Sequence, residues 1–213
     1  MILGAVAVAV VAGLATWVVF FSSALVLRSV HVEGTAILTQ DEVLAQAQAP
    51  EGRPLARVNE REIAERVAKL PAVREVTVRR AWPRSLEIRV SERVPVFVIG
   101  EGDPVTLVDS AGATFRGPLP EGVPQGEGPT GDPALLADVA RVVTALPDDL
   151  RAVTQQVTFT SPDAITIQIA DDREIFFGSA DRADLKAEVA HSLVRGTNAT
   201  HIDVSAPTRP STR

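Results

Sequence analysis

The sequence predicts an α+β protein in which one apolar helix precedes two small modules of mixed helices and strands. Three observations support this fold class. The first 27 residues carry no charged side chain. Residues 28–96 show the order β-α-α-β-β, and residues 97–206 combine further strands with two more helices. Residues 207–213 lose all periodicity and are predicted to form a C-terminal tail.

The apolar start is long enough to cross a membrane, because about 1.5 Å per residue exceeds a hydrocarbon core of about 30 Å. Trp17, Phe20 and Phe21 lie towards its far end, where an interfacial aromatic belt is expected. A cleaved signal peptide is an alternative, since Ser22-Ser23-Ala24 supplies small residues, but the basic start of a signal is missing. A buried soluble helix is a further alternative. We predict that residues 1–27 form an uncleaved transmembrane anchor.

The charges around this anchor do not determine its orientation. No Lys or Arg precedes the span and Arg28 follows it, so the positive-inside rule gives no support for an inside N-terminus. The remainder of the chain is acidic and modular, which favours export. We expect a single-pass cell-membrane protein with its N-terminus inside and its bulk outside the cytoplasm.

The first module begins with an alternating strand from Leu25 to Glu33. Thr39-Gln40-Asp41-Glu42 has the spacing of a capping box and predicts a helix start. Asn59-Glu60-Arg61-Glu62 opens a second helix in the same way, and Pro71 is expected to stop it. If both helices pack on one face of a small sheet, the apolar side of each helix is buried.

A hairpin closes this module. Val76 and Val78 form one face of a strand, and Trp82-Pro83-Arg84-Ser85 is predicted to be a turn. Every second residue from Leu86 to Val98 is then apolar except Glu92, so the pattern predicts one long strand with a bulge or edge position there.

Six arginines and only three glutamates lie between Arg74 and Arg93, although the whole chain has a net charge of −6. The first interpretation is a solvated face with cross-strand ion pairs. The second is a surface that meets anionic lipid headgroups or an acidic partner. The residues that the second interpretation nominates are Arg79, Arg84, Arg89 and Arg93.

The second module opens with the hairpin sequence "VTLVDSAGATF", followed by a Gly- and Pro-rich loop over residues 116–133. A helix is predicted from Pro133, then strands and a second helix over residues 183–194. The predicted strands cover residues 153–160, 164–169, 173–177 and 200–204, with Asp171-Asp172 as a tight turn.

The last strand is the best candidate for a partner site, because an exposed edge offers unpaired N–H and C=O groups to an added strand. A closing strand fully paired within the sheet remains the alternative. The predicted edge residues are His201, Ile202, Asp203, Val204, Ser205 and Ala206, and Pro207 would end the pairing. The preceding helix is expected to supply a basic rim of Arg182, Lys186 and Arg195.

The composition makes an enzyme improbable. The chain has no cysteine and three histidines, and it shows no glycine-rich phosphate loop and no nucleophile constellation. Asp171, Asp172 and Glu174 surround Arg173 and are interpreted as a solvated turn rather than a metal site. We predict no catalytic residues, no metal, no cofactor, no small-molecule substrate and no nucleic-acid partner.

Four segments together resemble the FtsQ/DivIB family of bacterial division proteins, especially its actinobacterial members. They are "RSVHVEG" after the span, the hairpin "VREVTVRRAWPRSLEIRVSERVPV", "LVDSAGATF" and the closing "HIDVSAPTRP". The resemblance implies a POTRA domain at about residues 25–95 and a larger β domain after it, both outside the cytoplasmic membrane. Family members normally carry a cytoplasmic tail before the span, and this sequence departs from that pattern.

The resemblance further implies a non-enzymatic scaffold of the divisome at the division septum. Its expected partners are FtsB/DivIC-like and FtsL-like proteins and the septal synthase complex, and its expected role is to help control septal peptidoglycan synthesis. In the family, an FtsB/DivIC segment binds the end of the β domain, partly by strand addition. A secreted or anchored POTRA module that binds extending polypeptides in transport is the alternative function.

Overall fold

The computed structural model of the protein describes residues 2–21 and 25–213. The chain divides into two compact units, Met1–Arg93 and Val94–Arg213. Each unit has its own sheet and its own hydrophobic core, and both combine helices with strands. The predicted α+β class is therefore confirmed. The small residues Ser22-Ser23-Ala24, on which the signal-peptide alternative depends, lie outside the described residues.

The first helix, α1 (Ile2–Phe21), carries no charged residue. Val8 and Leu14 are among its exposed apolar side chains. Over the part of the chain that the structure describes, no helix is both long enough and apolar enough to cross a membrane. The transmembrane anchor therefore stays a prediction.

The rest of the first unit has the predicted order β-α-α-β-β. Its three-stranded sheet has the order β1-β3-β2, in which β1 is parallel and β2 antiparallel to the central β3. The elements are β1 (Ser29–Glu33), α2 (Gln40–Ala47), a 3-10 turn (Leu55–Arg57), α3 (Glu60–Val67), β2 (Val73–Ala81) and β3 (Ser85–Glu92).

Both helices of this module start where their sequences predict. Thr39 caps α2 and forms the complete capping box, because its side chain accepts from the Glu42 backbone N–H while the Glu42 carboxylate accepts from the Thr39 N–H. Asn59 caps α3 by accepting from the Glu62 N–H at 3.3 Å. However, α3 ends at Val67, four residues before the proline expected to stop it.

The single long strand predicted from Leu86 to Val98 is wrong. β3 ends at Glu92, and the next strand, β4 (Pro95–Ile99), belongs to the second unit and its separate sheet. At the end of β3, the Glu92 carboxylate accepts three backbone N–H groups from the loop after β1, those of Ala36, Ile37 and Leu38, at 2.8 to 3.0 Å. The alternating pattern therefore continued across two unrelated strands.

The second unit contains a nine-stranded mixed sheet of order β12-β11-β10-β9-β8-β7-β4-β5-β6. Its remaining strands are β5 (Val105–Asp109), β6 (Thr114–Gly117), β7 (Gln125–Glu127), β8 (Thr154–Ser161), β9 (Ala164–Ile169), β10 (Arg173–Gly178), β11 (His201–Asp203) and β12 (Ser211–Thr212). Its helices are α4 (Pro133–Ala145), α5 (Asp148–Ala152) and α6 (Ala183–Gly196).

The core of this unit lies between the sheet and helices α4 and α6. The fully buried rings of Phe97 and Phe159 meet edge to face, with centroids 6.0 Å apart and planes at 74°. Asp132 caps α4 through the Ala134 N–H, and Pro133 occupies the first turn as its sequence predicts. The short helix α5 was not predicted.

The predicted loop over residues 116–133 contains a strand. β7 pairs in parallel with both β4 and β8 and so joins the two halves of the sheet. Its centre is Gly126, where a Cβ atom would lie 2.6 Å from Cδ2 of Phe97. Just after the strand, a Cβ at Gly128 would overlap the Phe159 carbonyl oxygen. The glycines that suggested a loop are required here by close packing.

The predicted C-terminal tail, residues 207–213, contains a short strand that its lack of periodicity did not indicate. The chain turns after β11, and β12 returns antiparallel to it, with Ile202 opposite Thr212 and Asp203 opposite Ser211. Pro207 is buried within this turn. The end of the described chain is therefore part of the sheet.

Candidate interaction surfaces

The candidate partner site lies at one end of the nine-stranded sheet, and we call β11 and β12 together the C-terminal edge. β11 is parallel to β10 on its inner side and antiparallel to β12 on its outer side. Beyond the strands, the Arg213 N–H donates to the His201 carbonyl at 2.9 Å, and the His201 N–H donates to the Arg213 carbonyl at 3.1 Å. The prediction that β11 itself is an unpaired edge is therefore wrong, because the tail covers it.

The predicted edge residues fall on two sides of the sheet. Ile202 and Val204 are fully buried in the core, and the Val204 N–H donates to the Phe176 carbonyl at 3.0 Å. His201 and Asp203 lie on the face opposite α4 and α6, where His201 Nδ1 is 3.6 Å from Glu174 Oε2. The side chains of this buried pair are therefore not available for recognition.

The last two predicted edge residues form the turn that leaves β11. The Ser205 N–H donates to Asp203 Oδ1 at 2.9 Å, and Ala206 is exposed. The Ala206 carbonyl accepts from the Arg209 N–H at 2.8 Å. These residues therefore direct the chain back towards β12 rather than extending the strand.

The outermost strand offers free backbone groups to a further strand. In an antiparallel pair, successive residues direct their N–H and C=O groups alternately towards and away from the neighbouring strand. Because Arg213 exchanges two hydrogen bonds with His201, the preceding residue, Thr212, directs its groups away from β11. Thr212 is exposed, so its N–H and C=O face the position that an added strand would take.

The predicted basic rim does not form one patch. Lys186 is only 2% exposed, and its Nζ donates to the Ser179 carbonyl at 2.8 Å and lies 5.6 Å from the centre of the Phe177 ring. Burial lowers the pKa of Lys186 below its usual 10.5. Its inclusion in a solvent-facing rim is therefore wrong. Arg182 and Arg195 are exposed but lie at opposite ends of α6, about 20 Å apart along the helix.

Arg173 holds the C-terminal edge in place, a role that its sequence position did not indicate. Its guanidinium donates to three carbonyl groups at the end of α6 and in the segment leading to β11, those of Val194, Thr197 and Ala199, at 3.0 to 3.1 Å. A cation at the C-terminal end of α6 is also stabilised by the negative end of the helix dipole. The predicted solvated turn is confirmed at Asp171 and Asp172, which adopt φ of 65° and 55°. Arg173, beside them, instead donates to the three carbonyl groups named above.

The arginines of the first unit divide into structural and exposed groups. Arg80, which was not singled out, donates to the carbonyls of Leu55 and Val58 at 3.0 and 2.6 Å and pairs with Glu60 at 3.0 Å. It therefore ties β2 to the start of α3. Arg93 is half-buried and donates to the Pro71 carbonyl at 3.0 Å.

The other three nominated arginines are exposed. Arg89 lies between two carboxylates on the open face of the sheet, 2.6 Å from Glu87 and 3.3 Å from Glu33. Arg79 stands opposite Glu87 in the strand register. The face therefore has the cross-strand pairs of the first interpretation, whereas Arg84 lies apart from it in the hairpin turn. Membrane or partner contact by these arginines stays a prediction.

The first unit matches a known family model, and the whole chain has similar relatives among known proteins. Residues 25–93 match the family model described as "POTRA domain, FtsQ-type". The FtsQ cell division protein of Streptomyces venezuelae is 34% identical over 208 residues, covering 92% of this chain and 77% of that protein. That of Streptomyces coelicolor is 33% identical over 224 residues, covering 97% and 85%.

A solved structure, the major extracytoplasmic domain of the division protein DivIB from Geobacillus stearothermophilus, aligns with 16% identity and a TM-score of 0.36. The alignment covers 51% of this chain and 99% of that one, and the score is too low to support a structural argument. The identity to full-length relatives, maintained over nine-tenths of the chain, is decisive. This chain belongs to the FtsQ/DivIB family of bacterial cell division proteins.

Proposed function

We propose that the protein is a non-enzymatic scaffold of the divisome, held at the septal membrane by residues 1–27. Residues 25–93 would form its POTRA domain and residues 94–213 its β domain, because the predicted boundary after residue 96 would cut β4. Both domains would lie outside the cytoplasm. The absence of charge from the first 27 residues supports the anchor. The match of the first unit to the FtsQ-type POTRA model and the division role of the relatives support the remainder. Transport of extending polypeptides finds no support among these relatives.

We infer that the C-terminal edge binds an extended segment of an FtsB/DivIC-like protein, in a complex that also includes an FtsL-like protein and the septal synthase complex. The observation that carries this inference is the pairing of β12. A strand of two residues, exposed on its outer side, supplies little pairing of its own and presents the N–H and C=O of Thr212 to an incoming strand. Through this edge the scaffold would recruit the proteins that control septal peptidoglycan synthesis.

Two modes of strand addition are possible at this edge, and they differ in what happens to β12. The partner strand can extend the sheet beyond β12 by pairing with Thr212. It can instead replace β12 and pair directly with β11, which is already ordered by β10 and Arg173. In both modes the affinity comes chiefly from main-chain hydrogen bonds, because Ile202 and Val204 are buried.

The test measures the affinity of the full-length chain, in detergent micelles, for the FtsB/DivIC homologue of the same organism. Three variants are compared with the wild type: Thr212→Pro, a chain shortened to end at Ala206, and Thr114→Pro. The last is the matched control, because Thr114 is the corresponding outward-facing residue on β6 at the other edge of the sheet. Circular dichroism confirms folding of each.

Addition beyond β12 predicts that Thr212→Pro and the shortened chain both bind at least about five-fold more weakly, since each removes a main-chain donor. Replacement of β12 predicts tighter binding by the shortened chain and little effect of Thr212→Pro. Unchanged binding by both variants, or weaker binding by Thr114→Pro alone, would show that the C-terminal edge is not the docking site.

A further inference from the structure

Three segments of the first unit meet immediately after α1, and each brings an arginine. The Arg28 N–H donates to the Arg84 carbonyl at 2.8 Å, and the Leu27 N–H donates to the Arg53 carbonyl at 2.8 Å. The Gly52 N–H returns a bond to the Leu27 carbonyl at 3.0 Å. The backbone thus gathers Arg28, Arg53 and Arg84 around one short stretch, and all three residues are exposed.

An aromatic ring lies beside this group. Trp82, in the turn between β2 and β3 and two residues before Arg84, is 52% exposed. Among residues 26–29, 51–54 and 81–86, which form this end of the unit, the sequence contains a single carboxylate, Glu51. A locally cationic surface with an exposed indole therefore occurs on a chain whose net charge is −6.

The chain connection limits how far this surface can be from the end of α1. Only four residue steps separate Phe21 from Leu25, and a fully extended chain covers at most about 3.6 Å per residue. Leu25 therefore lies within about 14 Å of the last residue of α1. If α1 is anchored in a bilayer, this end of the unit is held close to the headgroups, whereas the opposite end of β2 lies a further 25 Å or so along the strand.

We propose that this surface, the arginine tip (Arg28, Arg53, Trp82 and Arg84), binds anionic phospholipid headgroups at the membrane surface. The proposal rests on the proposed anchor. Basic residues near an anionic surface each contribute attraction that decays within a Debye length of about 10 Å, so only residues at this end of the unit benefit. Trp is the side chain best suited to the interface itself.

The open face of the sheet is a weaker candidate for the same lipid. There Arg89 lies between Glu33 and Glu87, so its charge is largely balanced within the protein. Arg79 faces Glu87 across the strands. An acidic protein partner could use either surface, but the short link from α1 to Arg28 singles out the arginine tip for lipid.

Binding would fix the orientation of the first unit on the bilayer. The anchor alone gives the unit one attachment to the bilayer. A second contact, through the arginine tip, would hold the unit in one orientation. This contact forms readily because the unit is already attached to the membrane through the anchor. The consequence is a first unit that presents the rest of its own surface at a set height above the membrane.

The test uses the full-length chain with Trp17→Phe, which leaves Trp82 as its sole tryptophan. The protein is reconstituted into nanodiscs of phosphatidylcholine alone or with about 30% phosphatidylglycerol, an anionic lipid. Trp82 emission is measured together with its quenching by a lipid spin-labelled near the headgroup. The test variant is Arg28→Gln/Arg53→Gln, and the matched control is Lys69→Gln/Arg74→Gln, two exposed cations at the opposite end of β2.

We expect a blue shift and quenching of Trp82 only in the anionic discs, reversed by about 0.5 M NaCl. The ratio of docked to undocked protein should fall about 30-fold in the test variant and less than two-fold in the control. Equal quenching in both lipids, no quenching, or equal losses in both double variants would overturn the proposal. If the chain is held in the discs, the anchor survives that result. If it does not enter them, the anchor and the arginine tip both fail.

Discussion

The two sheets of this molecule illustrate two kinds of stabilising contact. In the three-stranded sheet, charged side chains reach backbone groups of neighbouring elements: Glu92 accepts three N–H groups after β1, and Arg80 donates to two carbonyls before α3. In the nine-stranded sheet, the decisive contacts include close backbone approaches at Gly126 and Gly128. Each unit also contains a contact of the other kind, since a Cβ at Gly34 would overlap the Val90 carbonyl oxygen and Arg173 donates to three carbonyls beside β11.

This difference teaches where stability can be lost. A charged brace can be weakened by degrees, because a variant can keep some of its hydrogen bonds. A close approach such as that at Gly128 cannot, since an added Cβ there must displace the backbone carbonyl of Phe159. Hydrogen exchange of amides in each core can measure this contrast, because two units need not unfold together.

The largest effect is expected for Gly128→Ala. The new Cβ would overlap the Phe159 carbonyl oxygen, which cannot move without disturbing β8. We expect a loss of about 3 kcal/mol or more in the free energy of unfolding of the second unit, measured from exchange of the β8 amides. Gly131→Ala is the control, because a Cβ there meets no atom within 4 Å. Equal behaviour of the two alanine variants would refute the packing argument.

An intermediate effect is expected for Glu92→Gln in the first unit. The amide keeps one acceptor oxygen but loses the charge that holds the N–H groups of Ala36, Ile37 and Leu38. We expect a loss of about 2 kcal/mol in the first unit and none in the second. The control, Glu75→Gln, changes an exposed residue of β2 in the same way and should cost less than about 0.5 kcal/mol. A similar cost for both would mean that the carboxylate does not brace the loop.

The smallest effect concerns acid stability of the second unit. His191 Nε2 lies 2.7 Å from Asp149 Oδ2, and this hydrogen bond holds the pKa of Asp149 below its usual 3.8. Its contribution is therefore present above pH 3.8 and is lost as the pH falls through the lower, folded-state pKa. Asp149→Asn should slightly reduce stability near neutral pH and flatten the acid limb of a pH titration of unfolding. The effect is small because the carboxylate is exposed.

Asp171→Asn, in the exposed turn between β9 and β10, is the control for this titration. Its acid limb should match that of the wild type. An unchanged acid limb in Asp149→Asn as well would show that the pair with His191 contributes nothing measurable.

The sequence predicted the first module well, apart from its last strand, because its signals are local. Thr39 with Glu42, and Asn59 with Glu62, define helix starts within four residues of chain. The extension of the last strand to Val98 failed because alternation alone does not report that Glu92 turns back to brace another loop. The family resemblance, unlike the periodicity, implied that a separate domain ends at about residue 95.

The second module was harder to predict because its key features join distant residues. β7 is a strand only because β4 and β8 flank it, and its glycine reads as a loop in isolation. The pairing of β12 with β11, and the burial of Lys186, likewise depend on contacts that no local pattern reveals. The sequence therefore placed the candidate partner site on β11, which the structure shows to be covered by β12.

Hydrogen–deuterium exchange of the full-length chain, with and without the FtsB/DivIC homologue, tests the central claim most directly. We predict that the partner slows exchange across residues 201–213 at the C-terminal edge, while β6 at the opposite edge remains unchanged. Protection confined to β6 or to the first unit, with residues 201–213 unaffected, would contradict the proposal that this scaffold recruits its partner by strand addition at the C-terminal edge.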